Sequence, residues 1–172
     1  MSPIVDERMN TEVPVIEVGM AEMKISSAPA VVVARGLGSC VGVALYDPLK
    51  KVGGIAHPML PRMGEFKAKG NPGRYVDYMI SLMIDEMQRK GCRLNMLTAK
   101  IFGGAHMFSS IPQDSAFNIG ARNIKVAREK LESYAIRLAS EEVGGNYGRT
   151  IFLDLDTGLV KVRTMFFGER NV

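Results

Sequence analysis

Three strand-forming runs crowd between residues 29 and 60, and the punctuation between them limits how they can pair. "PAVVVARGLGSC" sets a β-branched run before a glycine-rich turn; "CVGVALYD" and "KVGGIAHPML" flank "DPLK", where Asp and Pro take the first two positions of a type I turn. Two apolar runs joined so tightly form an antiparallel hairpin. With the loop centred on Pro48 and Leu49, opposed residue numbers sum to 97, so Cys40 is predicted to face His57. Opposed residues share a face with Cβ atoms ~4.5–5.5 Å apart, within reach for a thiol and an imidazole. A one-residue slip would turn them to opposite faces, and Gly53 and Gly54 leave room for a bulge.

Outside that hairpin, "VPVIEVGMAEMKIS" reads as strand. "NPGRYVDYMISLMIDEMQRKG" reads as a helix with Asn71 as cap, Pro72 at its first position and Gly91 as its stop. Its Tyr75, Met79, Leu82, Met83 and Met87 form an apolar stripe suited to a core. "LNMLTAKIFGG" is expected as a buried strand, "NIGARNIKVAREKLESYAI" as a second helix capped by Asn118, and "IRLASEEVGG" and "TIFLDLDTGLVKVRTMF" as further strands, the last turning at Asp156, Thr157 and Gly158. Helices inserted between hairpins favour an α+β domain of packed mixed or antiparallel sheets with flanking helices over a doubly wound nucleotide fold. Residues 1–12 are expected as a flexible extension and 13–168 as one domain, with residues 61–70 as a loop near His57 suited to receiving a substrate.

At 172 residues, 47% hydrophobic and 23% charged, the chain suits one globular domain. No run of about eighteen apolar residues suggests a membrane span, and the N-terminal segment does not read as a signal peptide, so a cytoplasmic protein without membrane insertion is expected. A net charge of +4 is spread along the chain, which argues against nucleic acid as a partner. Two cysteines in a reducing compartment are expected as free thiols, and no Cys/His cluster calls for zinc; no metal or cofactor is expected.

Cys40 directly follows "GLGS", an abrupt turn of small residues where the backbone around Gly38 and Ser39 can approach a substrate oxygen. A thiolate there, with His57 as its proton partner, has the parts of a cysteine hydrolase; the other reading is a thiol packed as a small hydrophobe. Cys92, after the stop glycine, is expected as packed. His106 is expected as a satisfied polar residue beside a glycine turn, the alternative being a second imidazole near the site. Asn146, Tyr147 and Arg149 in "VGGNYGRT" either brace the site or form a tight loop.

Taken in order, "GLGSCVGVALYDP", "GGIAHPMLP", "KIFGGAHMF", "IGARNI" and "VGGNYGRT" closely resemble the CheD family of chemoreceptor glutamine deamidases, over roughly residues 14–165. The resemblance implies a fold similar to cytotoxic-necrotizing-factor-type deamidases and a cysteine-dependent amidohydrolase. Its substrates would be selected glutamines on the cytoplasmic helices of methyl-accepting chemotaxis receptors, with related activity on glutamyl methyl esters. It also implies Cys40 as nucleophile, His57 as its histidine, an oxyanion site around Ser39 and Cys40, and a CheC-type phosphatase as partner. The family's third catalytic residue, a threonine six positions before the cysteine, is replaced by Ala34; Ser39, Ser27 and Asn146 are candidates to orient His57 instead. The competing reading is a chemotaxis adaptor that binds receptor and phosphatase with weak catalysis.

Overall fold

The strand-forming runs assemble into two mixed five-stranded sheets. The computed structural model describes residues 12–67 and 70–172; nearly all of the expected 1–12 extension and two positions of the 61–70 loop lie outside the described residues. Strands are β1 (Val15–Val18), β2 (Met23–Ser27), β3 (Val31–Leu37), β4 (Val41–Asp47), β5 (Val52–Ala56), β6 (Thr98–Gly103), β7 (Arg137–Val143), β8 (Arg149–Asp154), β9 (Val160–Thr164) and β10 (Gly168–Asn171). One sheet has the order β1-β3-β8-β9-β10, the other β2-β5-β4-β6-β7. Each is antiparallel except for one parallel pair, β1 with β3 and β6 with β7. The protein is therefore α+β with two mixed sheets. The strand β10 begins where the sequence reading closed the domain and runs on to Asn171, paired with β9.

The two helices, α1 (Val76–Arg89) and α2 (Ile119–Ser133), cover the second sheet. One core lies between that sheet and the helices, where Val41, Val43 and Leu45 of β4 meet Met79, Met83 and Met87 of α1 and Ile124 and Ala127 of α2. The other lies between the sheets, where Ala44, Tyr46 and Phe102 meet Ala34, Ile151 and Leu153. All seven residues of β4 are buried because this strand sits in the middle layer, with apolar partners on both faces. The methionine stripe of α1 is core, as its helical spacing predicts.

Two sequence expectations need correction. Asn71 caps a short 3₁₀ turn, Pro72–Arg74, and not α1: its side chain accepts from Gly73 N, and Tyr75 then returns to extended backbone before the α-helix begins. Tyr75 bridges to Leu60, which interrupts the helical run that the apolar spacing suggested. The hairpin register also differs. Val43 pairs with Ala56 and Asp47 with Val52, so opposed numbers sum to 99 and the connecting loop is longer by two residues. The side chain of Asp47 accepts from the N–H groups of Leu49 and Lys50, building the wider loop from the residue read as the start of a two-residue turn.

Candidate active site

A two-residue change of register preserves the face of every side chain, because strand side chains alternate with period two. The pairing extends past the strand ends through Val41 N donating to Pro58 O at 3.3 Å. Between that bond and the Val43–Ala56 pair, the same register sets His57 opposite Gly42. His57 and Cys40 are therefore not the direct neighbours predicted: Cys40 lies in the bend before β4, past the last rung of the ladder.

The Cys40 turn is fixed by the chain that follows β6. Gly104 N donates to Cys40 O at 2.9 Å, and Ala105 N donates to Gly38 O at 2.8 Å. So close an approach depends on glycine at 103: its φ is +89°, and a Cβ there would lie 2.4 Å from Cys40 O. Gly104 N–H and Ala105 N–H are themselves held, since Gly144 N donates to Gly103 O and His106 N to Gly145 O. The first two glycines of "VGGNYGRT" supply both of these contacts. Arg149, buried, pairs with Glu142 at 3.0 Å, and Tyr147 donates to the same carboxylate at 3.0 Å. Among the described residues, no protein oxygen accepts from Ser39 N–H or Cys40 N–H.

His57 is fixed through its backbone. Its N–H donates to Glu22 O and its carbonyl accepts from Ala21 N, both at 2.9 Å, which tie it to the turn between β1 and β2. Its side chain is 1% exposed, and neither ring nitrogen has a hydrogen-bond partner among the described residues. Burial pushes the imidazole below its ordinary pKa; the Val18 backbone beside it opposes this, as a carbonyl facing a ring N–H would, although no hydrogen bond of normal geometry forms. Burial likewise pushes the Cys40 thiol up, offset in part by its own backbone N–H. Both shifts favour the uncharged form of the group concerned.

Cys40 lines a cleft of about 650 Å³ whose wall is largely apolar: Met20, Met59, Met107, Phe108, Ile111 and Phe117. Four of these are exposed at its rim: Met20, Met107, Phe108 and Phe117. Ser39 and the first residues of α2 also face the cleft. The described part of the 61–70 loop does not. Arg62 and Glu65 are instead tied to Glu129 and Arg122 of α2, and Asn71 and Arg74, just beyond the loop, take the place expected of it.

The candidates for orienting His57 fall away one by one. Ser27 pairs with Val52, at the far end of β5 from His57. Asn146 lines a separate hollow and does not face the Cys40 cleft. Ser39 has no hydrogen bond to either ring nitrogen. Ala34 is fully buried beside Val18 in the parallel β1/β3 pair and offers only a methyl group. His106 lines both hollows, and its Nε2 is buried without a partner, so it is not the satisfied histidine expected from the sequence. Cys92 is buried near Asp47 with its pKa pushed up to about 11, a packed thiol as expected. Among the described residues no group of three or more His, Cys, Asp or Glu is arranged to hold a metal ion, and no helix is long and apolar enough to cross a membrane.

Two features escaped the sequence reading: the β1–β2 turn that carries the backbone of His57, and Asn123 of α2. Its side-chain amide donates to Ser39 O and to Met59 O, each at 2.9 Å. Neither contact has a local signal, because each joins segments more than sixty positions apart.

The family described as "CheD chemotactic sensory transduction" matches residues 59–164 of this chain. A Desulforamulus reducens protein named "Probable chemoreceptor glutamine deamidase CheD" is 47% identical over 150 residues, 87% of this chain and 90% of that protein. The chain belongs to the CheD family. Proteins with the same name from Clostridium tetani and Thermococcus kodakarensis are 41% and 40% identical, covering 94% and 90% of this chain and 98% and 95% of their own lengths. The family match begins two residues after His57, whereas any 150-residue stretch of a 172-residue chain includes both Cys40 and His57. Among solved structures, the Bacillus licheniformis hypothetical protein YfiH is similar at a TM-score of 0.46 and 13% identity, over 78% of this chain and 61% of that one. The fold assignment rests on the strand order and not on that likeness.

Proposed function

We propose that this CheD protein hydrolyses the side-chain amide of selected glutamines on the cytoplasmic helices of chemoreceptors, with Cys40 as nucleophile and His57 as proton carrier. The observation that carries the reading is the position of Cys40: a thiol in the wall of an open apolar cleft, on a turn where Ser39 N–H and Cys40 N–H bond no protein oxygen. The names of the relatives supply the substrate class.

As a glutamine side chain enters, it displaces water from an apolar wall, and the Cys40 proton passes to His57. The resulting thiolate and imidazolium stabilise each other in a site too dry to stabilise either alone. Sγ attacks the amide carbon, and the carbonyl oxygen takes the charge, held by Ser39 N–H and Cys40 N–H. His57 returns its proton to the leaving nitrogen; ammonia departs, and a thioester remains on Cys40. Water deprotonated by His57 cleaves the thioester, giving glutamate and the free thiol. Catalytic hydrogen bonds are often long before substrate binds, in keeping with the unpartnered ring of His57. The apolar rim suits a helix face better than a free amino acid.

Ammonia release from a purified receptor cytoplasmic fragment tests the proposal: wild type should release it and Cys40→Ala should not, with both proteins equally folded. Equal release would end it. A second reading draws on Ala34 and the unpartnered imidazole: an adaptor that binds receptor and a CheC-type phosphatase and turns over slowly. Tight binding to either partner without measurable ammonia would select it.

A further inference from the structure

The strands that carry Cys40 and His57 part company just beyond the bond from Val41 N to Pro58 O. Past that point the ladder has no further backbone rung from the Cys40 turn to the segment after His57. The side chain of Asn123 occupies this fork. One hydrogen of its Nδ2 points to Ser39 O, on the nucleophile turn, and the other to Met59 O, two residues after His57. The residue is fully buried, so water does not compete for either carbonyl. A planar, uncharged –NH₂ is the one side-chain group that presents two hydrogens from a single atom without bringing a charge into the core. A lysine or arginine would bring a charge into the core, and a hydroxyl has one hydrogen.

The helix that bears Asn123 is anchored to the same turn by a second route. A Cβ on Gly120 would lie 2.4 Å from Ala105 O and 2.5 Å from Gly104 O, so glycine lets the first turn of α2 lie directly on the segment whose N–H groups hold Gly38 and Cys40. The cap of α2 is intact, with Asn118 accepting from Ala121 N. Asn123 is therefore presented to the fork by a short, well-fixed stretch of helix. We propose that Asn123 is a positioning residue that sets the separation and orientation of Cys40 relative to His57, acting through the Ser39 and Met59 carbonyls and not through contact with substrate. The proposal rests on Cys40 and His57 acting together, as set out above.

The variants Asn123→Asp and Asn123→Leu keep the size of the side chain and remove both donors; Asn123→Gln keeps the –NH₂ on a longer arm. With a receptor fragment as substrate, Asp and Leu should lower kcat by about 10- to 100-fold, the scale of a small misplacement, with KM little changed. Gln should recover part of the loss. Alkylation by iodoacetamide, followed at each cysteine by peptide mass spectrometry, separates this proposal from the deamidase reading because it needs no turnover. In the uncharged Leu variant Cys40 should react about tenfold faster, with its pH midpoint moved toward that of an ordinary thiol, while Cys92 reacts as in wild type. Equal acceleration of both cysteines, or a kcat within twofold of wild type in a folded Asp or Leu variant, would overturn the proposal. Should these variants not fold, the unmodified protein decides by NMR: both Asn123 side-chain hydrogens should be as protected from exchange as the backbone amides of α2, and rapid exchange of either contradicts the assignment.

Discussion

The Cys40 turn and the His57 ring lie on neighbouring strands, yet the protein fixes them in different ways. Around Cys40, Gly104 N–H, Ala105 N–H and the Asn123 amide hold the carbonyls of Cys40, Gly38 and Ser39, and the cluster of Glu142, Tyr147 and Arg149 lies behind them. Around His57 the backbone is equally well tied, but the imidazole is buried with neither nitrogen bonded. Cys40 is located by its backbone, a property built from many small, mutually supporting contacts. Hydrogen bonds locate His57 only as far as its Cα; on the proposed reading, orienting its ring falls to substrate or to a proton from Cys40. In this family member the side chain at 34 contributes no hydroxyl to that task.

This contrast can be broken most severely at His57. His57→Asn should lower deamidation by ~10²–10⁴-fold in the folded variant, the worth of a general acid–base group. A loss of less than tenfold in a steady-state assay would show that the ring is dispensable. On the other side, Gly103→Ala attacks the backbone scaffold: a Cβ 2.4 Å from Cys40 O at φ +89° should cost about 3 kcal/mol in denaturant unfolding. Gly148→Ala, where nothing lies within 4 Å, should stay within about 0.5 kcal/mol. Equal effects at the two glycines would refute the idea that close approach, and not glycine as such, builds the turn.

Restoring a hydroxyl sharpens the comparison. Ala34→Thr places an acceptor beside Val18, and if the free ring is what limits turnover, kcat should rise about tenfold, against an overpacking cost of about 1–3 kcal/mol. Unchanged kcat in a folded variant would place the limit elsewhere. The smallest effect is on pH dependence. The pKa of His57 is lowered in the folded protein, so its contribution to stability is present above the ordinary imidazole range and is lost as pH falls through the folded value. His57→Leu should therefore flatten the acid limb of a stability-versus-pH curve; an unchanged limb would mean the ring is not buried neutral.

The sequence made some of this legible for physical reasons that differ from residue to residue. Periodicity and turn chemistry are local, so the strands around "DPLK", the methionine face of α1 and the Asn118 cap could be read directly. The loop length was not, because Asp47 can serve either a two-residue turn or the wider loop it caps with its own carboxylate. Even so, an error of two positions preserves the face of each strand residue, where an error of one would have reversed it. The abrupt turn at "GLGSC" was legible, but what holds it was not: the donors come from residues 104, 105 and 123, and only folding brings them to the carbonyls of Cys40, Gly38 and Ser39. His106 misled for a related reason, since whether a buried ring nitrogen finds a partner depends on distant segments.

The central claim is that Cys40 takes the acyl group of a receptor glutamine before water does. The direct measurement is mass spectrometry of wild-type protein mixed with a receptor fragment, quenched in acid within a turnover and digested. A peptide containing Cys40 should carry the substrate as a thioester that hydroxylamine removes, and the adduct should appear before glutamate accumulates. Glutamate formed at full rate with Cys40 never modified, or with Cys40→Ala as active as wild type, would contradict the account.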